Sequence, residues 1–138
     1  MDDGSFDFVG RHFLASYLDC DPAALRNHAG LRKALRDAVL AAGATIMGAT
    51  EHIYQPQGYT LVLMLSESHT SIHTYPEHNA CFVDLFTCGT ACHPEPFDAV
   101  LREYLRPASC EVKVLLRSRH SIEEPFGAAK SLLQAAAR

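Results

Sequence analysis

Tyr59 to Gly89 reads YTLVLMLSESHTSIHTYPEHNACFVDLFTCG, and the two ends of this stretch decide the architecture. The first end, YTLVLMLS, follows a PQG turn at Pro56 to Gly58 and is apolar and β-branched enough for a buried strand. The second, NACFVDLFTCG, alternates, with Phe82, Asp84 and Phe86 on one face and Val83, Leu85 and Thr87 on the other, and predicts another strand. Between them Leu65 to Glu77, LSESHTSIHTYPE, packs three serines, two histidines and two glutamates into thirteen residues. Its Ser, Thr and Ile residues and the closing Tyr-Pro favour an extended or turning segment over a helix.

Working outward, ATIMGATEHIYQ from Ala44 repeats the strand pattern. Before it, Leu31, Ala34, Leu35, Ala38, Val39 and Ala42 recur at three- and four-residue steps, which predicts an amphipathic helix closed by Gly43. Asp21 directly before Pro22 is an N-cap with proline at the first helical position, so helix starts nearby, and Gly30 is read as splitting a short first turn from the main helix. VGRHFLASYL, Val9 to Leu18, alternates around aromatics as a first strand. Downstream, Phe97, Val100, Leu101 and Leu105 form a helical stripe ended near Pro107, and CEVKVLLR supplies the last strand, with Val112, Val114 and Leu116 on one side. Residues 1–6 read as a loose leader, and GAAKSLLQAAAR as a helix of little amphipathic definition.

The resulting order is β-α-β-β-β-α-β with short turns between neighbouring strands. It predicts an α/β (α+β) two-layer sandwich, a largely antiparallel sheet with helices on one face. The uncovered face invites a second subunit. A chain of 138 residues, 48% hydrophobic and 20% charged, fits a single domain over residues 1–138. A formal charge of −4 argues against nucleic acid or an anionic membrane as the main partner. No secretory signal or long apolar run is visible, so the chain is expected in the cytoplasm, with its five cysteines mostly reduced.

Three chemistries compete for the crowded segment. Zinc is one, through His69, His73, Cys88, Cys92 and His93, but the helix that would bring the two histidines together is disfavoured and no paired CxxC completes the set. A serine hydrolase is another, but it needs a GxSxG-type elbow or a separate acid, and neither is evident. A third is self-modification: a serine hydroxyl attacks the preceding carbonyl, an amide becomes an ester, and a base removes the serine Cα proton so that elimination breaks the chain. Glu67-Ser68 at the end of a buried strand, with His73 close by, has the required groups. Beside all three stands the plain structural role of Ser and His in turns and strand edges.

SESHTSIHTYPE at Ser66 to Glu77, followed by VDLFTCG at Val83 to Gly89, resembles the pyruvoyl-dependent S-adenosylmethionine decarboxylases of bacteria and archaea, the short prokaryotic class. GRHFLASYLDCDP, AAGATIMGAT and the PQG turn carry the likeness from about Gly10 to Arg117. It implies a core over 7–117, a C-terminal extension over 118–138, and self-cleavage between 67 and 68 into a β chain and an α chain. Ser68 would become the pyruvoyl group that forms a Schiff base with the substrate amine, His73 would serve proton transfer during processing, and Cys88 would protonate the substrate carbon after carbon dioxide leaves. Tyr54, Tyr75 and Glu77 match positions around the nucleoside, and Glu67 lies beside the pocket. Thr60 stands where many relatives carry a serine that supports processing, which keeps the hydroxyl but stiffens χ1. Neither metal nor pyridoxal phosphate is implied.

By the same resemblance the protein converts S-adenosylmethionine to its decarboxylated form and CO2 for spermidine and polyamine biosynthesis, as a homodimer of αβ protomers. Two alternatives stay open. Relatives on this scaffold decarboxylate ornithine or arginine, and an unprocessed homologue would be a binding or regulatory subunit. Cys81, Cys92 and Cys110 are read as structural, and Asp84, on an apolar strand, as paired or at an interface.

Overall fold

The computed structural model describes residues 8–89 and 92–124. The expected leader and C-terminal helix lie outside these residues. The elements are β1 (Gly10–Leu18), α1 (Pro22–Arg26), α2 (His28–Ala42), β2 (Ile46–Ile53), β3 (Tyr59–Leu65), β4 (Ser68–Tyr75), a 3-10 turn (Pro76–His78), β5 (Ala80–Cys88), α3 (Pro94–Leu105), β6 (Ser109–Arg117) and β7 (Ile122–Glu123). Every described strand pairing is antiparallel, in the order β2-β3-β4-β5-β1-β6-β7.

The two-layer class is as the sequence predicts, and two details differ. LSESHTSIHTYPE contributes a strand of its own, β4, so four strands rather than three lie between the main helices. Alternation explains it: Thr70, Ile72 and Thr74 are buried while His69, Ser71, His73 and Tyr75 point to the other face. Low apolar content hides a strand whose inward positions are mostly threonine. The second difference is the helix break. It falls at Asn27 rather than Gly30, because the Asn27 side chain accepts the Gly30 amide at 2.9 Å and caps α2.

Asp21 caps α1 before Pro22, and Gly43 ends α2 at φ 93°, a left-handed conformation that glycine adopts without strain. Leu31, Leu35, Val39, Phe97 and Leu101 from the helices meet Phe13, Leu61, Leu63, Ile72, Val83 and Val112 from the sheet. Each such large side chain contributes about 1.5–3 kcal/mol on burial. One charged group enters this layer: Asp98 on α3 accepts from Tyr17 Oη at 2.5 Å and from Arg102 Nε at 2.8 Å. Burial, and then the Asp98 carboxylate, push the Tyr17 phenol well above its ordinary pKa.

All described helices pack on this one face, and the other face of the sheet carries Leu14, Met64, Tyr75 and Phe82 at 37%, 61%, 39% and 48% exposure. Among the described residues no helix is long and apolar enough to cross a membrane.

Candidate functional site on the open sheet face

The β3–β4 hairpin turns through Ser66 and Glu67, with Leu65 paired to Ser68. No glycine is present to take up the left-handed conformation, and Glu67 adopts it at φ 61°. A side chain held there costs on the order of 1–2 kcal/mol. Strain therefore sits on the residue just before Ser68. The Ser66 amide donates to the Thr45 carbonyl at 3.0 Å and ties the turn to the start of β2.

Across from this tip, β5 ends at Cys88. The register pairs His69 with Phe86, and two residues further along it sets Cys88 opposite Glu67. The Cys88 thiol donates to the Glu67 carbonyl oxygen at 3.3 Å. Gly89, at φ 74°, turns the chain away at once and leaves this thiol exposed. Cys20 and Cys81 are buried, and Cys92 and Cys110 are half-buried with thiols pushed up by burial. Glu67, Ser68 and Cys88 are thus brought together.

A second group lies at the other end of the same strands. Thr60 and His73 are cross-strand partners, with Thr60 Oγ1 3.0 Å from His73 Nδ1. The Thr60 hydroxyl also lies 3.4 Å from the Tyr54 oxygen, and the Tyr54 ring stands 4.5 Å from that of His52. Tyr75 packs on Phe82 at 5.2 Å, and Glu77 is exposed on the 3-10 turn. A shallow depression of about 480 Å³ next to His73 is bordered by Leu14, Ser16, Ser71, Phe82 and Glu111.

The sequence expectation that His73 lies close to Ser68 is corrected here. The two are five residues apart on one extended strand, which separates them by about 17 Å at ~3.3 Å per residue. For the same reason His69 and His73 do not converge on a metal. Among the described residues one group has the geometry to hold a cation: His12 Nε2, His69 Nε2 and Asp84 Oδ2 lie within 4.8 Å of one another.

Sequence reasoning left that cluster unassembled. Asp84 is paired, as expected of a carboxylate on an apolar strand. Its Oδ1 accepts from the Ser71 amide at 3.1 Å and hydroxyl at 2.5 Å, and its Oδ2 lies 2.8 Å from His12 Nε2 and 3.5 Å from His69 Nε2. Burial alone would raise the Asp84 carboxyl, but the hydrogen bonds from Ser71 and His12 and the charges of His69 and His12 outweigh it and hold it below its ordinary value. The signal for His12 was available only as an outward position on β1, which does not say what lies across the sheet.

Together these features define a class of protein: a small α/β sandwich whose candidate reactive groups gather at a strained hairpin tip, with Cys88, Thr60 and His73 on the uncovered face of the sheet and Ser68, the partner of buried Leu65, on the other. The family profile described as S-adenosylmethionine decarboxylase matches residues 11–118. The S-adenosylmethionine decarboxylase proenzyme of Methanococcus aeolicus is 42% identical over 104 residues, covering 75% of this chain and 89% of that one. The proenzyme of Parasynechococcus marenigrum is 47% identical over 98 residues, covering 71% and 77%. The crystal structure of the adenosylmethionine decarboxylase from Aquifex aeolicus superposes with a TM-score of 0.71 at 30% identity, covering 88% of this chain and 98% of that chain. The chain belongs to the S-adenosylmethionine decarboxylase family, a family of carboxy-lyases.

Proposed function

We propose that this chain cuts itself between Glu67 and Ser68 and that the resulting pyruvoyl enzyme decarboxylates S-adenosylmethionine. One observation carries the reading: the carbonyl of a left-handed Glu67 receives the exposed Cys88 thiol at 3.3 Å, directly before Ser68.

The residues present fit the making of the group. Ser68 Oγ attacks the Glu67 carbonyl carbon, and negative charge develops on the oxygen that Cys88 already hydrogen-bonds. The C–N bond breaks, the hydroxyl proton passes to the Ser68 nitrogen, and Glu67 becomes the acyl half of an ester. A base then takes the Ser68 Cα proton and the Cβ–O bond breaks, releasing Glu67 as a carboxylate. The dehydroalanine left behind tautomerises to an imine, and water replaces its nitrogen as ammonia, leaving the ketone. That ketone supplies a sink for the electrons freed when carbon dioxide leaves the substrate. Cys88, released from the Glu67 carbonyl by the cut, holds the proton for the substrate carbon. The reading needs Cys88 as a free thiol, which suits a cytoplasmic location.

His73 is the base in this scheme, its Nδ1 fixed by Thr60. At about 17 Å it does not reach Ser68 of its own chain, since proton transfer needs a contact near 3 Å. The site is completed by pairing two open sheet faces about a two-fold axis, so that each hairpin tip meets His73 of the partner subunit. Leu14, Met64 and Phe82 on the open face support that homodimer. Tyr54 and Tyr75, both more than a third exposed, offer aromatic faces for adenine, and Glu77 a carboxylate for ribose hydroxyls. An ornithine or arginine substrate would have no use for two such faces. The product would be decarboxylated S-adenosylmethionine, an aminopropyl donor for spermidine synthesis.

Intact-mass spectrometry tests the reading. Fragments of about 67 and 71 residues are expected, the second about 17 Da lighter than a serine-ended chain because one ammonia is lost. Ser68→Ala should stay whole. A single uncut mass for the unaltered chain sinks the reading and leaves an unprocessed binding subunit.

A further inference from the structure

We infer that His69 is a positioning residue, held by Asp84, Phe86 and His12, whose task is to fix the first residue of the downstream chain after the Glu67–Ser68 link is cut. The inference rests on the self-cutting reading.

Before the cut, the start of β4 is tied covalently to β3 through a two-residue turn. After it, Ser68 is a chain end, and its place is set by strand pairing and by whatever holds the next residue. His69 is that residue, and it is held from three sides. Its ring stacks on Phe86 at 5.8 Å with 30° between the planes, its Nε2 lies 3.5 Å from Asp84 Oδ2, and it meets the His12 ring edge-on at 6.2 Å. His12, from β1, lies 2.8 Å from the same oxygen and meets Phe86 edge-on at 5.4 Å. Phe86 itself is held by the neighbouring strands β1 and β6. The Arg117 guanidinium lies 5.3 Å over its ring, and at Gly10 a Cβ would fall 2.5 Å from Phe86 Cε1, so only glycine leaves room for the ring.

Side chains from β4, β5 and β1 therefore converge on the position one residue past the cut. They do so on the face away from the hydrophobic core, where the fold has no need of them. The Ser71 amide and hydroxyl occupy Asp84 Oδ1, which leaves Oδ2 turned toward the two imidazoles.

The test compares Asp84→Asn in the self-cutting protein and in the uncut Ser68→Ala background. The clamp predicts that Asp84→Asn still cuts itself, that kcat falls about 10-fold or more with KM within about two-fold, as expected when a reacting group is slightly misplaced. It also predicts a fall in Tm at least ~3 °C larger in the cut protein than in the uncut one. Gly10→Ala, which displaces the Phe86 ring, should reproduce the pattern. Equal falls in Tm in the two backgrounds with kcat unchanged, or a loss confined to KM, would overturn the inference, as would a stoichiometric transition metal in the purified protein. An uncut parent chain overturns the self-cutting reading itself and is told apart by its mass alone.

Discussion

Co-producing a Ser68→Ala chain with a His73→Ala chain should restore cutting that neither chain shows alone. Within one protomer Ser68 and His73 are separated by five residues of extended β4, about 17 Å, roughly five times the reach of a proton transfer. In the proposed scheme His73 instead serves the Ser68 of a partner subunit. If the two chains pair at random, about half of the dimers are mixed, and each mixed dimer holds one complete site: Ser68 of the His73→Ala chain facing the intact His73 of its partner. About half of the His73→Ala chains should then be cut, and none of the Ser68→Ala chains. Homodimers of His73→Ala give only the slow background left when a general base is removed, about 10²- to 10⁴-fold below the intact protein. Intact-mass spectrometry after co-purification reads both populations at once, because the two substitutions change different masses. His73→Ala chains that stay as whole in the mixture as alone, beside an unaltered protein that cuts itself, would refute the argument and require His73 to act within its own chain.

Two further outcomes concern the carboxylates Asp98 and Asp84. Asp98→Ala removes the acceptor shared by Tyr17 and Arg102 at 2% exposure, and should lower unfolding free energy by about 3–5 kcal/mol in urea titrations; a loss below about 1 kcal/mol would mean the buried pair contributes little. Asp84, held below its ordinary pKa, contributes stability that is present above the unfolded carboxylate value and is lost as pH falls through the folded one. The stability gap between the parent and Asp84→Asn should accordingly be present above about pH 4 and narrow as pH falls below it; a gap that is constant with pH would refute the assignment.

The sandwich was legible because its signals are local. Alternation in Phe82 to Thr87, the three- and four-residue steps of α2 and α3, Asp21-Pro22 and Gly43 each report their own backbone and burial. β4 was harder to read. A strand that buries Thr70 and Thr74 beside a single Ile72 has the composition of a turn, and the polar groups that marked it as functional also masked it as a strand. Asn27 outcompeted Gly30 for the helix break because a side-chain acceptor in reach of an orphan amide outweighs the permissiveness of glycine.

The sequence by itself determined the layer architecture, the placing of the chain in its family, and Glu67, Ser68 and Cys88 as candidates for one reaction. Residue types and spacing are enough for that, since periodicity and capping act within a few residues. Only the tertiary structure decided which candidates meet. Strand register brought Cys88 onto the Glu67 carbonyl across 21 residues of chain and gathered His12, His69 and Asp84 from three strands. The ~3.3 Å rise per residue of β4 carried His73 away from the Ser68 it stands near in sequence, because an extended chain turns closeness in number into distance in space.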